Sequence, residues 1–150
     1  MPRSYASLHC HIVFGTRRRL PLIVALVQAR LWEYMGGLLR ARQCIPLAIG
    51  GTDDHVHILC QLGREISLAA LVREVKAVSS RWVHETFPEV QGFGWQAGYG
   101  AFTIGVERVA LTVDYIRGQE EHHRTRSFED EFHSFPEKHA IEVDERYLWD

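Results

Sequence analysis

Residues 55–62 read HVHILCQL, and this stretch restricts the fold more than any other part of the chain. Its side chains alternate, with Val56, Ile58, Cys60 and Leu62 on one side and His55, His57, Leu59 and Gln61 on the other. A period of two over eight residues is a strand. An apolar row backed by a mixed row requires a sheet that buries one face against something else. The same alternation recurs in SLHCHIVFG, residues 7–15, where Leu8, Cys10, Ile12 and Phe14 share one side and His9, His11 and Val13 the other. CIPLAIGG (44–51) predicts a strand hairpinned to 55–62 through Gly50, Gly51, Thr52, Asp53 and Asp54, and YGAFTI (99–104) predicts a fourth.

Helical patterns fill the gaps between these strands. LIVALVQARLWEYMGGLLRAR (22–42) reads as a long helix despite Gly36 and Gly37, and SLAALVREVKAVSSRWVHETF (67–87) as a second with Ser67 as N-cap. VERVALTVDYIRGQEEHHR (106–124) reads as a third. The order strand, helix, strand, strand, helix, strand is the split βαβ pattern. We therefore expect an α+β, ferredoxin-like fold: an antiparallel sheet, its first and third strands central, two helices on one face, and an extra C-terminal helix. The other sheet face is left open for a site. The acidic tail is expected to contain a short helix before Pro136 and then to wrap the domain, with Trp149 pinning it.

Composition narrows the function classes. A chain of 150 residues fits a single domain, 1–150. No apolar run approaches the roughly twenty residues of a membrane helix, and the N-terminus lacks a signal-peptide pattern, so a cytoplasmic protein with no membrane partner is expected. Cys10, Cys44 and Cys60 form no CxxC pair and are odd in number, which favours buried thiols over a disulfide framework or zinc ribbon. The net charge of −2 argues against coating nucleic acid by bulk charge. Local positive charge exists in Arg17, Arg18 and Arg19, and on the second helix in Arg73, Lys76 and Arg81. The interleaved rings of GFGWQAGYGAF (92–102) could stack bases, although packing is the better reading for at least two of them. Neither a GxSxG elbow nor a GxxxxGK[ST] loop is present.

The histidines are the candidates for chemistry, although an HxH pair taken alone is more often two partly exposed histidines on a sheet face. His55 and His57 lie two apart on one strand face, about 7 Å along the strand, and can converge on one divalent ion. Asp53 or Asp54 could hold a ring in place from behind. His9 and His11 form a rival pair on the strand expected alongside. On the third helix Val106, Val109, Ala110, Val113 and Ile116 form an apolar stripe. Tyr115 and Gln119, one turn apart, are expected roughly opposite it, with His122 on the same side.

DDHVHILCQL, then VDYIRGQEEHH, then DERYLWD, together with the opening SLHCHIVFGTRRRLPLI, closely resemble the small single-tyrosine HUH transposases of the insertion-sequence-two-hundred type, over essentially the whole chain. The resemblance implies a DNA transposase. In it His55 and His57 bind a divalent metal, magnesium or manganese, with Gln119 as third ligand, and Tyr115 is the nucleophile. It implies cleavage and rejoining of single-stranded DNA, carrying a hairpin at the element's ends, through a 5′-phosphotyrosine. It also implies a homodimer in which one subunit's tyrosine helix completes the other's site. Two alternatives stand beside it. One is a domesticated relative that processes dispersed hairpin repeats. The other is a ferredoxin-like nucleic-acid-binding module without chemistry, which treats the His55–His57 and Tyr115–Gln119 spacings as coincidence.

Overall fold

The computed structural model describes residues 4–119; His122 and the tail expectations lie outside the described residues. The described elements are β1 (His9–Gly15), α1 (Ala25–Ala41), β2 (Ile45–Gly51), β3 (His55–Gln61), α2 (Leu68–Thr86), β4 (Gly100–Thr103) and α3 (Val109–Arg117). Single 3₁₀ turns, Arg17–Arg19 and Val106–Arg108, precede α1 and α3. The four strands form one sheet in the order β2-β3-β1-β4, every pairing antiparallel. This is the expected α+β, ferredoxin-like arrangement with the first and third strands central. No described helix is long and apolar enough to cross a membrane.

One sheet face makes the main core. Ile12 and Phe14 of β1 and Val56, Ile58 and Cys60 of β3 pack against Val27, Leu31, Met35 and Leu39 of α1 and Leu71, Val72, Val75 and Val83 of α2. Each helix contributes residues three or four apart, so a single stripe faces the sheet. Ser67 caps α2 as expected, its Oγ accepting the Ala70 N–H at 3.1 Å. α1 begins at Ala25, three residues later than the sequence suggests. The Ile23 N–H donates to the Asp53 carbonyl at 2.9 Å, which ties this segment to the β2–β3 turn and keeps it extended. β2 is an edge strand, the place in a sheet where a proline such as Pro46 is tolerated, and the register shifts between Pro46 and Ala48.

The opposite face is not open. His11, Val13, His55, His57 and Leu59 are all buried there. α3 packs across β2 and β3, with Ile116 against Ala48 and Leu59. Residues 120–124 of the run expected over 106–124 lie outside the described residues, and within the described part the third helix is interrupted. It starts with a 3₁₀ turn, and α3 stops at Arg117, where the Gly118 N–H bonds the Asp114 carbonyl at 3.0 Å. The tighter turn rotates the start of the segment, so Val106 and Ala110 of the expected stripe are exposed. Val109, Val113 and Ile116 do face the sheet, and so do half-buried Tyr115 and buried Gln119. The placing of Tyr115 and Gln119 opposite the stripe is thus corrected. Gln119 is three residues beyond Ile116, which on a helix is a flank of the same face.

Close approach of α3 to β2 depends on Gly50. A Cβ there would stand 2.7 Å from the Ile116 carbonyl oxygen and 3.1 Å from its Cγ2. Gly50→Ala is expected to push α3 off the sheet and lower stability by about 1–3 kcal/mol, the usual range for overpacking; urea unfolding against the parent protein checks this.

Candidate active site

Strand pairing brings the site together from β1, β3 and the segment after α3. His57 lies opposite Val13 in the β1–β3 ladder, and His11 lies opposite Leu59, one diagonal step from His57. His55 begins β3 directly after the tight β2–β3 turn. A Cβ on Gly51 would collide with the His55 carbonyl oxygen at 2.1 Å, so this turn needs a glycine. Both histidine side chains are fully buried, His11 is 3% exposed and Gln119 1%.

Each histidine is held through its Nδ1. His55 Nδ1–H donates to Asp54 Oδ1 at 2.8 Å and lies 3.0 Å from Thr52 Oγ1, whose hydroxyl donates to the same carboxylate at 3.1 Å. His57 Nδ1 lies 2.8 Å from His11 Nε2. Asp54, rather than exposed Asp53, is therefore the carboxylate behind His55. Burial pushes the Asp54 carboxyl up, but the His55 ring, the Thr52 hydroxyl and Arg19 (Nη2 4.0 Å away) together outweigh it and hold the carboxyl below its ordinary value.

The remaining nitrogen of His55 faces the α3 side. His55 Nε2 is 2.9 Å from Gln119 Oε1, while Gln119 Nε2 donates to the Tyr115 carbonyl at 3.3 Å. His55 Nε2 and Gln119 Oε1 are thus close enough to share one proton or to hold one metal ion between them. Among the described residues no three His, Cys, Asp or Glu side chains form a metal-holding group. An amide oxygen with two imidazoles is a mixed N/O donor set that would suit manganese and could also take zinc or nickel. The phenol ring of Tyr115 stands edge-on to His57, centroids 5.6 Å apart, and to His11 at 6.3 Å, in the same chain.

The predicted cations do not all gather here. The Arg17–Arg19 turn is fastened to the β2–β3 turn, with the Thr16 N–H and hydroxyl donating to the Asp54 carbonyl at 2.8 and 3.2 Å. Arg17 donates from Nη2 to the Gly92 carbonyl at 2.8 Å, and exposed Arg18 adopts a left-handed backbone (φ 56°). Arg73, Lys76 and Arg81 lie on α2, on the helical side of the sheet; Arg73 and Arg81 are exposed. Lys76 is engaged inside the fold. Its Nζ donates to the Gln96, Ala97 and Gly98 carbonyls at 2.8, 3.4 and 2.6 Å and sits 5.1 Å from the Phe14 ring centroid. Burial pushes its ammonium down to about 8. Of the glycine-rich segment's rings, Phe93 and Phe102 are core, Trp95 donates to Ser79 Oγ at 3.0 Å, and Tyr99 is exposed. Sequence reasoning missed the role of Gln96, whose buried Oε1 accepts the Gly15 N–H and anchors this segment to the end of β1. Nothing in the local sequence marks it, because the partner is 81 residues away.

The model of a family described as IS200-like transposases matches residues 4–119, and the chain belongs to this family. Its fold is shared by a protein provisionally described as a transposase from Deinococcus radiodurans R1, with a TM-score of 0.62 and 22% identity over 79% of this chain and 96% of that one. A REP-associated tyrosine transposase, solved bound to a REP hairpin, is similar with a TM-score of 0.55 and 19% identity over 79% of this chain and 70% of that one. No curated protein sequence matches this chain.

Because Lys76 ties the 96–98 segment to α2, Lys76→Met is expected to cost about 1.5–3 kcal/mol, as for other hydrogen bonds from charged groups. Arg73→Met should change stability by less than about 0.5 kcal/mol. Paired denaturant titrations distinguish the two.

Proposed function

We propose that this member of the IS200-like transposase family cleaves and rejoins single-stranded DNA through a covalent 5′-phosphotyrosine, with Tyr115 as nucleophile. The observation that carries this reading is the convergence of His55, His57, Gln119 and Tyr115 on one buried spot, where strand and helix meet. A binding module without chemistry has no use for two imidazoles and an amide buried around a phenol.

His55 Nε2, His57 Nε2 and Gln119 Oε1 would hold a magnesium or manganese ion, which when bound supplies polarisation and orientation of the scissile phosphate. The chain's own part is positioning. Asp54 and Thr52 fix the His55 ring, and the seating of α3 on β2 sets where the phenol stands. Tyr115 Oη attacks phosphorus, a P–Oη bond forms and the P–O3′ bond breaks. The phenol proton is lost and the departing 3′ oxygen gains one, leaving a 5′-phosphotyrosine and a free 3′-OH. A 3′-OH from another strand end reverses these steps and releases Tyr115, so rejoining needs no ATP. The relative bound to a REP hairpin makes a DNA hairpin the substrate feature to try first. Arg18, Arg73 and Arg81, exposed and cationic, are the residues proposed to meet phosphates. The homodimer implied by the family resemblance is retained, with each tyrosine serving its own subunit, since Tyr115 stands beside His57 of the same chain.

The test is covalent capture. The protein is mixed with labelled single-stranded DNA from the ends of its own locus and manganese, then run on a denaturing gel. An adduct is expected for the parent protein and none for Tyr115→Phe, for His57→Ala or with chelator. Binding without any adduct would favour the non-catalytic module. Mixing Tyr115→Phe with His57→Ala is expected to stay inactive; recovered adduct would place the tyrosine in the partner's site. In binding titrations, Arg73→Ala and Arg81→Ala should each flatten the slope of log affinity against log salt by about one.

A further inference from the structure

His11 is the buried polar group that the proposed reaction leaves without a task. It stands on β1, one diagonal step from His57, and its ring centroid is 5.1 Å from that of His57. Its Nε2 meets the Nδ1 of His57 at 2.8 Å, on the opposite side of that ring from Nε2. His9 does not share this position; its Nε2 lies 3.5 Å from Gln61 Nε2 across the strand pair.

His55 and His57 thus have parallel surroundings. Asp54 takes the Nδ1 side of one ring, and His11 takes the Nδ1 side of the other. A neutral imidazole carries one proton, and whichever nitrogen holds it cannot bind a metal. Fixing the proton on Nδ1 leaves the Nε2 lone pair available. Asp54 can only accept, so it selects that form of His55. An imidazole can do the same if its facing nitrogen is unprotonated.

We infer that His11 is a positioning residue for the metal site: its Nε2 accepts the His57 Nδ1–H, so that the Nε2 of His57 is presented as a ligand. The inference rests on the metal-site reading above. It also accounts for the second histidine pair: His11 supports His57, and does not compete with it for the ion. His11 itself makes no contact with the ion in this arrangement.

Two measurements on metal-free protein test it. Long-range ¹⁵N–¹H NMR reads which His57 nitrogen carries the proton; the Nδ1–H form is expected, and the Nε2–H form overturns the inference. Manganese titration followed by electron paramagnetic resonance reads affinity without any reaction. His11→Leu is expected to weaken manganese binding by about 10- to 100-fold, the usual cost of removing a group behind a ligand. His11→Gln, whose Oε1 can accept the same proton, should restore binding to within a few-fold, and both should melt close to the parent protein in chelator. Unchanged affinity in His11→Leu, or a stably folded His11→Gln as weak as His11→Leu, overturns the assignment. Should His11→Leu fail to fold, the NMR result and His11→Gln still decide. His57→Ala separates the two layers of argument. If the parent protein binds manganese no better than His57→Ala, the metal-site reading fails and takes this inference with it. If binding needs His57 but ignores His11, only this inference falls.

Discussion

The antiparallel pairing of β1 with β3 at the centre of the sheet is the constraint on which the rest depends. It sets Ile12 beside Ile58 and Phe14 beside Val56 on the face that packs under α1 and α2. The same register sets Val13 beside His57 and His11 beside Leu59 on the other face. A slip of one residue would turn the histidines into the apolar core and carry Val56 and Ile58 to the α3 side. The core and the site are therefore held by one ladder of hydrogen bonds, and the apolar row that stabilises the fold also fixes where the imidazoles point.

On that second face the candidate site lies along a seam. α3 lies against β2 at a distance only glycine at position 50 permits, and the α-helix ends at Gly118 just before Gln119. Gln119 is then close enough for its amide to reach His55 and to bond back to the Tyr115 carbonyl. The seam joins a short helix to an edge strand, so geometry at the site is coupled to helix seating. Burial makes this coupling strict: polar groups removed from water must be matched with one another or with an ion.

Charge is distributed with similar economy. The net charge is −2, and several cations that look available in the sequence are used internally. Lys76 holds three carbonyls of the 96–98 segment, Arg17 holds Gly92, and Arg19 faces Asp54. Arg18, Arg73 and Arg81 stay exposed. A nucleic-acid contact built from these residues would be local and salt-sensitive, and would position a strand without reading its bases.

Much of this was legible in the chain itself, because it rests on periodicity. The alternation in 9–15 and 55–61 and the apolar spacings of α1 and α2 identify the strands, the helices and the central pair. The HxH spacing and Tyr115–Gln119, one helical turn apart, identify the family. The periodicity of the α3 segment misleads, because it is short and is broken by a 3₁₀ turn at Val106–Arg108 and by Gly118; taken as one regular helix, it turns Tyr115 and Gln119 away from the sheet they pack on. Lys76 looked like a free cation because its carbonyl partners lie twenty residues or more away. The pairing of His11 with His57 and of Gln96 with Gly15 could not be read from either segment alone. Local sequence determines which way a side chain faces along its own element, since that is a matter of backbone period. Only the tertiary structure decides which two such faces meet, since register and helix seating are settled by burial and close approach between distant residues.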